Sequence, residues 1–232
     1  MSKKNIFIYI LMLCTAVMII VTAIHNEQES VPDWQEILQI MPLFVSIIIG
    51  MLQSRVSRFA SLLGSINSIF YAAVYFIFNI YGSAFSALFF SCPIQILTFI
   101  RWNKHKMGGS TELRQMTAKQ RIFLSLGFAA ALVAMWFVLP LLGSEYVFLD
   151  SATTLLGIII YFMTMFAYVE YTTLMLINGA IGIALYVQML GDKPEIAPHL
   201  VFSVYSLICV IFAFFEARKL YKNQQAEKEK VQ

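Results

Sequence analysis

The sequence predicts an all-α polytopic membrane protein with eight transmembrane helices, arranged as one N-terminal helix and a core of three, one and three helices. Two observations predict this class. Of the 232 residues, 59% are hydrophobic and 12% are charged, with a mean hydropathy of +0.75, whereas soluble domains are about half apolar and about a quarter charged. The charged residues also cluster between apolar runs that are each about long enough to cross a bilayer.

Eight apolar segments are predicted to span the membrane. Their approximate limits are 5–24, 34–52, 58–80, 83–101, 120–142, 147–168, 170–190 and 197–217. The first segment resembles a signal peptide because Lys3 and Lys4 precede it. We expect it to be retained as a helix, because Val21-Thr22-Ala23 is a poor cleavage site.

The distribution of Lys and Arg predicts which helix ends face the cytoplasm. With eight spans, all but one of the 16 basic residues fall on the same side as both chain termini, and the exception is Lys193. A different number of spans would scramble this segregation. The sequence therefore predicts cytoplasmic N- and C-termini. The net charge of +3 comes without a basic-aromatic surface pattern, so we expect no nucleic-acid partner.

Two blocks of three helices flank the fifth span and resemble each other. Asn67 and Tyr75 lie eight residues apart on the middle helix of the first block, as do Asn178 and Tyr186 on that of the second. One intervening helix gives both blocks the same orientation, as in SWEET-type parallel repeats. The predicted units are 1–30 (N-terminal helix and outer loop), 31–102 (first repeat), 103–119 (a flexible cytoplasmic linker), 120–143 (connecting helix), 144–220 (second repeat) and 221–232 (cytoplasmic tail).

Polar side chains form stripes along several predicted helices, since they recur every three or four residues and so share one helix face. Amides at bilayer depth are costly unless they find partners or face a wet cavity. Amides among aromatic rings therefore predict a pocket for a flat, polar small molecule. The candidate substrate-binding residues are Asn67, Tyr71, Tyr75, Gln95, Trp102, Tyr171, Asn178 and Tyr186.

Other residues of the stripes are assigned structural roles. Five small residues are expected to permit close helix packing: Gly64, Thr154, Gly157, Thr164 and Gly182. Asp150 is expected to be solvated or to cap its helix near the outer edge. Pro93 lies two residues before Gln95 and should loosen the helix there.

Several kinds of chemistry have no signature in the sequence. The three cysteines lie in apolar runs without metal-type spacing, and the three histidines fall in separate segments. No glycine-rich ATP loop occurs, and no acid, His or Lys falls clearly at mid-membrane. We therefore expect no metal, no cofactor, no enzymatic activity and no proton relay. A substrate of low net charge that moves down its gradient fits best.

The pattern Gly64-x-x-Asn67-x-x-x-Tyr71, with Tyr81-Gly82, Pro93-x-Gln95 and Trp102, resembles the Pnu family of bacterial vitamin transporters. The likeness covers about residues 35–220, and in the second half it includes the run 149–154, Asn178 and Tyr186. It implies facilitated diffusion of a vitamin or nucleoside across the bacterial inner membrane, most often nicotinamide riboside, a precursor of NAD. It also implies a homotrimer and a cytoplasmic kinase that traps the product by phosphorylation.

One departure from the family pattern leaves the substrate open. Members that take nicotinamide riboside tend to show Trp-x-x-Trp-x-x-x-Asn on the seventh span, where this chain has Tyr171, Leu174 and Asn178. A pocket without a ring at Leu174 would stack a nicotinamide less well, so thiamine, riboflavin and deoxyribonucleosides remain alternatives. The substrate-binding subunit of an energy-coupled vitamin importer is a second hypothesis. A membrane enzyme is a third, and the scattered histidines count against it.

Overall fold

The computed structural model describes residues 3–25, 33–107, 110–141, 143 and 145–230. The described chain is almost entirely helical, which confirms the all-α prediction. A π-helical segment, Ala87–Ser91, joins α4 to α5, and a two-stranded antiparallel ribbon pairs β1 (Lys106–Met107) with β2 (Ser110–Thr111). The helices are α1 Lys3–His25, α2 Asp33–Gln53, α3 Phe59–Ile77, α4 Tyr81–Ser86, α5 Cys92–Lys104, α6 Ala118–Leu141, α7 Val147–Met165, α8 Tyr171–Leu190 and α9 Ala197–Glu229.

Seven helices within the described residues are long and apolar enough to cross a membrane, which confirms a polytopic membrane protein. They are α1, α3, the continuous segment Tyr81–Lys104, α6, α7, α8 and α9. The second predicted span, α2, contributes a shorter apolar stretch, Ile40–Gln53.

The helices pack as two groups, α2 to α5 and α7 to α9, with α1 and α6 outside them. In the first group α3 packs against α2 and α5, and in the second α8 packs against α7 and α9. The two groups meet where α2 contacts α9 and where α4 and α5 contact α7. Outside them, α1 packs on α9 and α2, while α6 packs against α7. Most of α6 is exposed, as expected of a lipid-facing helix.

A hydrophobic cluster closes one end of the bundle, which we call the basic end because the turns there carry most of the Lys and Arg residues. This basic-end cluster consists of Val56, Trp102, Leu113, Ala167 and Ala217. Its central residue, Leu113, is 1% exposed and comes from the segment between β2 and α6. The expectation of a flexible linker is wrong for this part of residues 103–119, because an apolar side chain anchors it. Gly108 and Gly109 lie outside the described residues.

Hydrogen bonds also hold the linker in place. The Ser110 hydroxyl donates to the Val56 carbonyl (3.1 Å), and the Arg114 N–H donates to the Ala167 carbonyl (2.8 Å). From α9, the buried Gln224 side chain donates to the Thr111 carbonyl and accepts from the Leu113 N–H, both at 2.9 Å. The linker thus connects the α2–α3 turn, the α7–α8 turn and the end of α9.

An ion pair continues this contact one turn further along α9. Lys228 binds Glu112 of the linker. The hydrogen bond from the Lys228 ammonium is the main reason that the pKa of the Glu112 carboxyl lies below its usual range. Both side chains are partly exposed, so we expect the buried amide of Gln224 to matter more for stability.

At the other end, called the opposite end below, Asp150 of α7 caps α4 in the other helix group. Its carboxylate is fully buried and accepts the N–H groups of Gly82 and Ser83, both at 3.1 Å, and the Ser83 hydroxyl at 2.7 Å. A Cβ on Gly82 would lie 2.9 Å from Asp150 Oδ2. The expectation that Asp150 is solvated or caps its own helix is therefore wrong. It neutralises the positive end of a neighbouring helix.

A second polar contact and a hydrophobic cluster complete the opposite end. The Lys193 ammonium donates to the Phe78 carbonyl (3.0 Å) and to Glu145 (2.7 Å), and Asn79 also donates to Glu145 (2.9 Å). These donors, Lys193 first, hold the pKa of Glu145 below its usual range. The opposite-end cluster consists of Val74, Phe78, Ile80, Tyr146, Leu185, Met189 and Ile196.

We predict that Gln224→Ala lowers the free energy of unfolding by about 1–3 kcal/mol, because it leaves a buried N–H and a buried carbonyl of the linker unpaired. Thermal unfolding of the purified protein in detergent measures the effect. Gln225→Ala is the matched control, since Gln225 is the next residue, is half-buried and makes no hydrogen bond among the described residues. Equal stability of the two variants would show that the linker is not held by this amide.

Candidate functional site

A central cavity of about 290 Å³ lies between the two helix groups. Protein interiors seldom contain voids much larger than a water molecule, so a cavity of this size is a candidate ligand site. Helices α2, α3, α5, α7, α8 and α9 all contribute to its wall. Six of the predicted binding residues line it: Asn67, Tyr71, Tyr75, Gln95, Asn178 and Tyr186.

The amide nitrogen of Asn67, on α3, is held by hydrogen bonds to α2. Its Nδ2 donates to the Pro42 carbonyl (3.0 Å) and to the Ser46 hydroxyl (2.7 Å), both on α2. Its Oδ1 is buried and has no hydrogen-bond partner in the described protein. The bonds to α2 fix the orientation of the amide, and the oxygen remains as an acceptor for a ligand donor.

Asn178 provides a second acceptor from the other helix group. It lies on α8, eight residues before Tyr186, as Asn67 lies eight residues before Tyr75 on α3. Its Oδ1 is also buried without a partner among the described residues. An unpaired buried acceptor costs free energy, so neither oxygen contributes a hydrogen bond to the stability of the described fold.

Gln95 is positioned by hydroxyl groups and by a glycine. Its Nε2 donates to Ser91 (2.6 Å) and to Ser68 (3.1 Å). Its Oε1 lies against Gly64 of α3, where a built Cβ would overlap it. Gly64 was expected to permit close packing of two helices. The group that approaches it closely is the side-chain amide of Gln95.

The helix that carries Gln95 is irregular at the predicted place. The π-helical segment Ala87–Ser91 ends two residues before Pro93. Proline removes one backbone N–H and its ring clashes with the carbonyl of the preceding turn, and a π-helical turn relieves that clash. The irregularity places Ser91 and Gln95 together on the wall of the cavity.

Tyrosine rings form the end of the cavity nearest the opposite-end cluster. Tyr71 and Tyr75 stack with ring centroids 5.5 Å apart, and Tyr71 accepts a hydrogen bond from Ser46 (3.1 Å). Behind them, the buried ring of His199 lies edge-on to Tyr71 (6.2 Å) and near Tyr186 (6.0 Å). Aromatic contacts of this kind keep the rings in place.

Trp102 and Tyr171, the other two predicted binding residues, do not line the central cavity. They line a smaller cavity of about 80 Å³ toward the basic-end cluster. The Trp102 indole N–H donates to the Thr164 carbonyl (2.8 Å), and its side chain is 3% exposed. Gln95 and Tyr161 line both cavities and so lie at their boundary.

Sequence reasoning missed other lining residues. Tyr161 lines the cavity from α7, four residues after Gly157 and so on the same face of that helix. On α2, Ser46 and Gln53 lie seven residues apart on one face, and that spacing was the available signal. Leu174, where the family pattern has a ring, lines a groove at the basic end instead of the central cavity.

The central cavity has no ionisable acid or base in its wall, since none of its lining residues is Asp, Glu, Lys, Arg or His. The described residues also contain no group of three or more His, Cys, Asp or Glu side chains that could hold a metal ion. The wall of the central cavity therefore offers amide groups, hydroxyl groups and aromatic rings.

Comparisons with known proteins agree with this geometry. Residues 33–219 match the family model described as nicotinamide mononucleotide transporter. A solved structure described as that of the vitamin B3 transporter PnuC has a TM-score of 0.77 and 21% sequence identity, covering 94% of this chain and 93% of that chain. At this identity the likeness shows the fold alone. No curated protein matches the chain. The predicted family resemblance is confirmed, and the chain has the fold of a membrane transporter.

We predict that Gly64→Ala destabilises the protein by about 1–3 kcal/mol, because the new methyl group overlaps the Gln95 side chain. In a Gln95→Ala background the same substitution should cost much less. Thermal unfolding of the two single variants and the double variant measures the coupling. Gly182→Ala is the control, since a Cβ there would meet nothing within 4 Å. An equal cost of Gly64→Ala in both backgrounds would contradict the proposed contact.

Proposed function

The chain belongs to the nicotinamide mononucleotide transporter family, and from this premise we propose that it carries a vitamin or nucleoside across the membrane by facilitated diffusion, with nicotinamide riboside as the first candidate. One observation supports this most. The central cavity combines two unpaired amide oxygens, from Asn67 and Asn178, with tyrosine rings and no fixed charge. Such a wall suits a flat molecule that carries hydroxyl and amide donors.

The absence of cations from the wall favours a substrate without phosphate. A phosphate group is normally bound by Arg, Lys or a cluster of backbone N–H groups, and the lining residues of the central cavity include no Arg or Lys. Burying a phosphate there would cost much of its hydration without a compensating charge. We therefore favour the riboside over the mononucleotide that the family model names.

The tyrosines favour nicotinamide riboside among the vitamins considered. The lining rings are Tyr71, Tyr75, Tyr161 and Tyr186. Nicotinamide riboside carries a permanent positive charge on a flat ring, and aromatic faces attract such cations. Thiamine shares this property and is the nearest alternative. Riboflavin and deoxyribonucleosides lack it. Because Leu174 lies outside the central cavity, the missing ring there does not weaken stacking in the site.

We also propose that the two helix groups are parallel repeats within an eight-span protein whose second span is α2. In support, equivalent residues of the two groups line the same cavity: Asn67 with Asn178, Tyr75 with Tyr186, and Gly50 with Gly157. Placing the basic end in the cytoplasm satisfies the positive-inside rule for α9 and the linker. Both termini would then be cytoplasmic, in a bacterial inner membrane.

Two partners complete the proposal. A carrier that moves substrate down its gradient needs a cytoplasmic kinase if product is to accumulate, since phosphorylation gives a product that the uncharged cavity does not bind. A homotrimer is the assembly implied by the family resemblance.

We predict that the protein alone, in liposomes, equilibrates radiolabelled nicotinamide riboside, and that Asn178→Ala reduces the rate roughly tenfold through the loss of one hydrogen bond in the site. Asn103→Ala is the matched control, because within the described residues the Asn103 side chain bonds the Phe99 carbonyl of its own helix (3.0 Å) and lines neither cavity. Uptake by Asn178→Ala at the wild-type rate would reject this cavity. Absence of wild-type uptake without a partner ATPase would favour the energy-coupled importer.

We predict that nicotinamide riboside raises the unfolding temperature of the purified protein by mass action, while nicotinamide mononucleotide does so little or not at all. Thiamine, riboflavin and deoxyribonucleosides are measured beside them. A shift with thiamine alone would identify the alternative substrate. A larger shift with the mononucleotide than with the riboside would contradict the argument from the uncharged wall.

A further inference from the structure

A second concave surface lies at the basic end, and the transport proposal does not use it. The headgroup groove, as we name it, encloses about 1010 Å³ between α6, the α7–α8 turn, α8 and the part of α9 that extends past the basic-end cluster. We propose that it binds the phosphate of an anionic phospholipid from the surrounding membrane. Four cations line it: Arg121, Arg218, Lys219 and Lys222.

The headgroup groove has an excess of positive charge. Its one carboxylate, Glu170, is paired with Arg121 (2.7 Å) and also accepts the Met116 N–H (3.1 Å). The ion pairs between described residues include none of the other three cations. Three uncompensated positive charges thus line one groove, and basic pockets at this membrane face bind anionic lipid headgroups.

The cations are held close together by α9. Arg218 and Lys222 are four residues apart and Lys219 lies beside them, so the three share one face of the helix. The Arg218 guanidinium also lies over the Phe214 ring, 4.0 Å from its centroid. This contact fixes the guanidinium near the groove, where its planar fork can bind two oxygens of one phosphate.

Below the cations the wall of the headgroup groove becomes apolar. Leu124 follows Arg121 by about one turn of α6, and Phe215 precedes Lys222 by about 10 Å along α9. Phe215 is 64% exposed, and Leu174 lines the same wall. A phospholipid matches both parts, with its phosphate at the cations and its acyl chains along the apolar wall. A free phosphate compound would leave the apolar wall uncovered, so the lipid is the source that we assign.

Native mass spectrometry of the full-length protein tests the proposal by titration with palmitoyl-oleoyl phosphatidylglycerol and with the matching phosphatidylcholine. We expect phosphatidylglycerol to bind more tightly. We expect Lys219→Gln combined with Lys222→Gln to weaken it roughly tenfold to thirtyfold, since each lysine near an anionic headgroup contributes to affinity. The matched control combines Lys104→Gln with Lys230→Gln, which removes the same charge from exposed residues at the basic end outside the groove.

Three other outcomes would contradict the proposal that the groove binds an anionic phospholipid. If both double variants weaken lipid binding equally, the lipid is attracted by the general positive charge of this surface and not by a specific site. Equal binding of phosphatidylcholine would show that the apolar wall alone binds lipid. Displacement of phosphatidylglycerol by sn-glycerol 3-phosphate at matched concentration would identify a soluble phosphate compound as the ligand.

Discussion

The rest of the structure depends on how polar groups are partnered inside a bundle that offers them no water. Asp150 shows the constraint in its strongest form, since a buried carboxylate is tolerated only because α4 presents its first N–H groups to it. That bond joins the two helix groups at the opposite end. Asn67 and Asn178 differ, because each keeps one oxygen without a protein partner. Polar groups that are satisfied hold the helices together, and two that are not, the oxygens of Asn67 and Asn178, belong to residues that line the central cavity.

The helical periodicity and the distribution of charge in the sequence predicted most of the fold. Apolar length predicted the spans, and spacing of three and four residues grouped six of the eight candidate residues that line the central cavity. Trp102 and Tyr171 line the smaller cavity instead, and for one reason. Each lies seven residues from a residue of the central cavity, Gln95 or Asn178, which is the same face of the helix but about 10 Å further along it. Periodicity specifies the direction of a side chain and leaves its depth in the membrane open.

Contacts between distant parts of the chain were the other source of error. The polar segment that contains Ser110 and Leu113 has the composition of a flexible linker, and only its partner on α9 shows otherwise. Gln224 lies 111 residues beyond Leu113, and nothing in the local pattern of either segment relates them. The role of Asp150 was missed for the same reason, because its carboxylate accepts hydrogen bonds from the start of α4, 68 residues earlier in the chain. Partners of this kind follow from the tertiary fold and cannot be read from local propensity.

The linker also bears on how a carrier of this architecture can open. Val56 and Ala167 lie in the two turns that join the first and second helices of each group, and both have left-handed backbone angles, with φ of 53° and 59°. Such a conformation costs about 1–2 kcal/mol in a residue with a Cβ, and more in a β-branched one. Both residues pack on Leu113 in the basic-end cluster, so the linker holds together two strained turns of matching position. The opposite end has a turn of the same kind, since Asn79 lies between Phe78 and Ile80 of the opposite-end cluster and has φ of 59°. Moving such turns apart leaves these angles unchanged, so backbone strain does not distinguish the two ends. The basic end differs because one segment, the linker, bonds to both of its turns. Any separation of the two turns has to break the hydrogen bonds that Ser110 and Arg114 make to the Val56 and Ala167 carbonyls.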